Sequence, residues 1–77
     1  MTRVVIEYNR ATGSVNTTVF DGPTADRDAL TLRFALELDY QGNPDVEVVL
    51  LSGTLDQVQR THARYFLHAS DLVRKAG

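Results

Sequence analysis

The chain has no cysteine and no tryptophan, a single lysine, and two prolines in 77 residues. Without cysteine there is neither a disulfide framework nor a thiolate metal site. That absence matters because a chain this short buries only roughly 60% of its unfolded surface and holds a thin core. Disulfides, bound metals and oligomerisation are the usual supports for such domains, and the composition favours the last of them. A cysteine-free chain also fits a reducing compartment.

Long apolar runs are missing too. No stretch approaches the ~20 residues that span a bilayer, so no membrane partner is expected. Met1-Thr2-Arg3-Val4-Val5 enters an alternating pattern directly, without the apolar region of a signal peptide. The expected location is cytoplasmic. Nor is there an excess of positive charge. Ten acids against eight bases give −2, which weighs against general affinity for nucleic acid or anionic membranes. Seven of the eight bases are arginine, the bias of a GC-rich coding sequence, so bacterial or phage origin is expected.

What is present is organised around Asp45-Val46-Glu47-Val48-Val49-Leu50-Leu51-Ser52-Gly53, the most continuously apolar stretch. Its valines are β-branched and suit a pleated strand. A run without clean alternation predicts a strand with neighbours on both sides. Earlier in the chain, Arg3 to Tyr8 alternates, with Val4, Ile6 and Tyr8 on one face and Arg3, Val5 and Glu7 on the other. Asn9 to Ser14 breaks the pattern with an Asx-turn residue and a glycine. Val15 to Phe20 then resumes it, predicting a β-hairpin. Within it, Asn16-Thr17-Thr18 matches an N-glycosylation pattern, but in a chain with no secretory signal it reads as a polar strand face.

Residues 29–40 carry two signals. Leu30, Leu32, Phe34, Leu36, Leu38 and Tyr40 alternate as a strand would, whereas the Ala/Leu/Arg/Glu composition is that of a helix. Thr24 as N-cap, Asp26 and Asp28 in the first turns, and the stop at Gln41-Gly42-Asn43-Pro44 decide for helix. At ~100° per residue, Ala25, Ala29, Leu32, Leu36 and Tyr40 then form one stripe, and Leu30, Phe34 and Leu38 a second. A helix on one sheet needs only the first. After the central strand, Thr54-Leu55-Asp56-Gln57 fits a capping box and predicts a helix running to about Arg74-Lys75. Leu55, Val58, His62, Tyr65, Phe66, Ala69, Leu72 and Val73 fill its apolar arc, and Leu67 is apolar on the polar side.

The expected fold is one small α+β domain over residues 1–77, ββαβα. Its three-stranded antiparallel or mixed sheet has order 2-1-3, with both helices on one face. Under one register Val5, Val49 and Leu51 share the uncovered face.

Five groups are candidate sites. His62 with Tyr65 is a possible pocket, since histidine titrates near neutral pH. However, positions 58, 59, 65 and 66 offer no acid to orient it, so a packing role is the favoured reading. Arg60, Arg64, Arg74 and Lys75 give the last helix a basic face able to hold phosphates, without an interleaved aromatic for base stacking. Glu37, Asp39, Asp45, Glu47 and Asp56 follow one another with no base between them, but they match no calcium loop, and a negatively charged edge is expected. The Ser52-Gly53-Thr54 turn lacks the phosphate-loop pattern and reads as capping. No metal or cofactor motif is present. Leu30, Phe34, Leu38 and Leu67 carry the functional expectation, because contiguous exposed apolar surface marks interaction sites. The sequence thus predicts a non-catalytic protein–protein interaction module that self-associates or docks on another protein. The alternatives are a nucleic-acid accessory protein using the arginine face, and a small ligand binder or enzyme centred on His62.

Overall fold

A computed structural model describes residues 1–66 and 72–76. Strands β1 (Thr2–Asn9) and β2 (Val15–Asp21) form the hairpin, followed by helix α1 (Ala25–Asp39), strand β3 (Val46–Ser52), helix α2 (Leu55–Thr61), a 3-10 turn (Ala63–Phe66) and strand β4 (Leu72–Ala76). The hairpin closes as its chemistry demands. Asn9 Oδ1 accepts from the backbone N–H groups of Ala11 and Thr12, and Gly13 takes φ 75°. Residues 25–39 are helical, so composition outweighs the alternating pattern. Thr24 precedes the helix but donates to Asp28 Oδ2 at 2.9 Å rather than capping the backbone. The capping box of α2 is complete: Thr54 Oγ1 accepts from Gln57 N–H, and Gln57 Oε1 accepts from Thr54 N–H. Gly53 permits it, since a Cβ there would lie 2.8 Å from Gln57 Oε1 and φ is +121°.

The three antiparallel strands take the expected order, 2-1-3, in an α+β fold. Two features differ from expectation. Helix α2 stops at Thr61, and Leu72–Ala76 forms a fourth strand parallel to β2, giving the order β3-β1-β2-β4. The helices also lie on opposite faces of the sheet rather than on one. Val4, Ile6, Val15 and Val19 pack with Val58 and Tyr65, whereas Val5 and Phe20 pack with Ala25 and Ala29. The fourth strand explains this. Strands β2, β3 and β4 are all antiparallel to β1, hence parallel to one another. The chain crosses the sheet in one direction from β2 to β3 and in the reverse direction from β3 to β4. Crossovers keep one hand, so reversing direction switches the face. The register also separates Val5 from Val49 and Leu51: Val5 pairs with Leu50 and faces α1, while Val49 and Leu51 pack on the α2 side.

Helix α1 is fastened to β1 at both ends. Arg3 Nε donates to Asp26 Oδ1 at 3.1 Å, and Tyr40 Oη donates to Glu7 Oε2 at 2.7 Å. Asn16 Nδ2 also donates to Glu7 Oε2, at 3.3 Å. The Tyr40 hydroxyl's own hydrogen bond to the Glu7 carboxylate, and then the carboxylate's charge, raise it above its ordinary pKa.

Candidate functional site

The sheet-facing stripe of α1 is the one the wheel predicts. Ala25 and Ala29 are fully buried, and Leu32 and Leu36, with Val48 and Leu50 of β3, pack against the cluster they form with Val5 and Phe20. A residue advances ~100° around a helix, which places Leu30, Phe34 and Leu38 nearly opposite that stripe. Their exposures are 39%, 55% and 71%. Among the described residues no element packs over this side of the helix. A shallow groove beside the ridge is lined by Phe34, Glu37, Leu38 and Gln41, and Arg33 Nε donates to Glu37 Oε1 at 2.7 Å along its flank. Exposed apolar groups on a polar helix surface are costly unless they meet a partner, and here three fall in a row at i, i+4 and i+8. Leu67, the fourth residue expected here, lies outside the described residues.

The other candidates are dispersed or already engaged. His62 ends α2 half-buried, its Nδ1 2.7 Å from Thr61 Oγ1 and its ring stacked 6.4 Å from that of Tyr65. Among the described residues no carboxylate reaches its ring. Tyr65 is buried, edge-on to Tyr8 at 5.3 Å. Its hydroxyl donates to Glu47 Oε1 at 3.0 Å and accepts from Arg64 at 2.7 Å. This cluster fastens the 3-10 turn to β3, with the Tyr65 hydroxyl engaged both as donor and as acceptor. The Arg64 guanidinium lies 4.7 Å from the Tyr65 ring centre, and its hydrogen bond to that hydroxyl raises its pKa further above the ordinary arginine value.

The basic residues do not share a helix face. Arg60 pairs with Asp56 at 2.9 Å on α2, Arg64 sits in the 3-10 turn, and Arg74 and Lys75 belong to β4. The run of acids is likewise broken up by bases from elsewhere: Arg33 on Glu37, Arg10 and Arg64 on Glu47, and Arg60 on Asp56. Among the described residues no three His, Asp or Glu side chains converge as metal ligands, and no helix is long and apolar enough to cross a membrane.

Sequence reasoning missed one site. Thr17, read as part of a polar strand face, is fully buried, and its hydroxyl has no hydrogen-bond partner among the described residues. Its signal was available, because Val15, Thr17 and Val19 alternate onto the same face as Ile6, the residue paired with Thr17. Comparison of the chain with family models, curated proteins and solved structures finds no match.

Proposed function

We propose that the chain is a non-catalytic interaction module that pairs with a second copy of itself through the outer face of α1. The observation that carries this reading is the uncovered ridge Leu30-Phe34-Leu38 on the side of the helix away from its own sheet. The ridge is self-complementary. An antiparallel crossing centred on Phe34 sets Leu30 against the Leu38 of the second copy, and Arg27, exposed near one end, beside the Glu37 and Gln41 of the other. Such an isologous contact closes at two copies.

Magnitudes set its strength. Each large apolar side chain contributes roughly 1.5–3 kcal/mol when fully buried, and this ridge is already partly covered. Association costs on the order of 4–15 kcal/mol. The ridge alone therefore supports weak pairing, with a Kd of about 1 μM or above.

Light scattering or sedimentation across a concentration series tests the reading. Phe34→Glu places a charge at the centre of the crossing and touches nothing in the core, so it lowers the associated mass while the circular dichroism and urea midpoint stay unchanged. A wild-type chain that stays monomeric at high concentration, or an associated mass that Phe34→Glu leaves unchanged, sinks the proposal.

A further inference from the structure

We infer that the outer edge of β3 is a second, independent self-pairing surface, joining two copies strand to strand into one continuous sheet. It does not depend on the α1 ridge. The backbone says which atoms are free. Gly53 N–H donates to Thr2 O and Arg10 N–H to Asp45 O, so pairs 53·2 and 45·10 are the hydrogen-bonded pairs of the β1–β3 ladder. In an antiparallel ladder these alternate. Asp45, Glu47, Val49, Leu51 and Gly53 thus turn their amides toward β1, and Val46, Val48, Leu50 and Ser52 turn theirs outward. The Val46 N–H is used by Asn43 O. Among the described residues nothing hydrogen-bonds the outward groups of Val48 and Leu50.

Such an edge is a template for another strand unless it is blunted by proline, lysine or a bulge. Val46–Ser52 has none of these, and every residue but Ser52 is only half-buried. The opposite edge strand, β4, carries Arg74 and Lys75. The occupant that fits the free edge is a second β3. Antiparallel pairing about a two-fold axis at Val49 brings Val48 opposite the Leu50 of the second copy, where they exchange hydrogen bonds, and Val46 opposite Ser52. Parity is kept, so each face of one sheet continues into the same face of the other. The strand's one charge, Glu47, meets Leu51 and is already held by Arg10, Arg64 and the Tyr65 hydroxyl. No like charges oppose. The helices also fit. Helix α1 packs first on β1, and two β1 strands three spacings apart are separated by ~14 Å. That exceeds the ~10 Å diameter of a helix with its side chains.

The test uses the full chain carrying Phe34→Glu, which removes the α1 contact. Sedimentation should still show a dimer, and hydrogen exchange should show the Val48 and Leu50 amides protected in concentrated but not dilute samples. Adding Val48→Pro removes an outward donor at an edge position that tolerates proline and should raise the dimer Kd about tenfold or more, a loss of ~1.4 kcal/mol. Val48→Ala removes the same side chain, keeps the N–H, and should remain dimeric. A monomeric Phe34→Glu chain with both amides unprotected at every concentration overturns the inference and leaves the edge to an extended segment of a different protein. Equal effects of the proline and alanine variants overturn it as well. If instead the wild type carrying Val48→Pro alone becomes monomeric, the α1 reading fails and this one stands.

Discussion

The two faces of the sheet are held by different means. On the α1 side a 15-residue helix approaches closely through Ala25 and Ala29, with Phe20, Leu32 and Leu36 filling the margins. The interface is backbone near backbone, pinned at its ends by Arg3–Asp26 and Tyr40–Glu7. On the α2 side the cover is a seven-residue helix and a 3-10 turn. It is too short to bury much by itself, so large side chains do the filling: Ile6, Val4 and Val15 from the sheet, and Val58 and Tyr65 from above. A helix seated on alanines is sensitive to added volume, and a cover of interdigitating large groups is sensitive to its removal.

Opposite substitutions on the two faces separate these modes. Ile6 is fully buried beneath α2, and Ile6→Ala should cost about 2–5 kcal/mol, a large share of the roughly 5–15 kcal/mol that holds a small domain together. Ala29 has no exposed surface beneath α1, and Ala29→Leu should cost about 1–3 kcal/mol by lifting the helix from the sheet. Urea midpoints at constant m-value measure both. A neutral Ala29→Leu would show that α1 is loosely seated and would end the contrast.

The α1 face was the more legible in the sequence, and the reason is range. The stripe Ala25-Ala29-Leu32-Leu36, the outer ridge and the hairpin turn at Asn9–Gly13 all rest on neighbours within a few residues, where periodicity and turn chemistry operate. The α2 face depends on β4, which pairs in parallel with a strand more than fifty residues earlier, with Leu72 opposite Asn16. A parallel partner leaves no local turn signal. The residues of β4 also happen to continue the apolar arc of α2, so a helical period absorbs them. Once β4 is missed, nothing forces α2 to the other face. The free edge of β3 was likewise hidden, because a continuous apolar run reads as a strand with neighbours on both sides.

Thr17 sharpens the contrast from within the α2 face. Its hydroxyl is buried with no partner among the described residues, and an unsatisfied hydroxyl costs on the order of 1 kcal/mol or more. Valine keeps the branched shape and the strand preference. Thr17→Val should therefore stabilise the chain by about 1 kcal/mol, seen as a higher urea midpoint. Destabilisation would mean that the hydroxyl is bonded and that this face is better satisfied than its geometry shows.

The smallest expected effect lies on the α1 face, at the Tyr40 hydroxyl. Its pKa is raised above 10.0, first by the hydrogen bond to Glu7 and then by that carboxylate's charge. A group whose folded pKa is raised favours folding fully below its unfolded pKa, and the benefit fades as pH rises through the folded value. The bond therefore supports α1 at neutral pH and is lost in alkali, where phenolate would face carboxylate. Tyr40 is half-exposed, so solvent screens the interaction and the effect is modest. The urea-midpoint gap between wild type and Tyr40→Phe should hold steady up to about pH 9 and close above about pH 10. A gap that persists unchanged in alkali would mean that Tyr40 fastens the end of α1 by ring packing alone. The two faces would then differ less than their hydrogen bonds suggest, because each would be held at its margin by an aromatic ring.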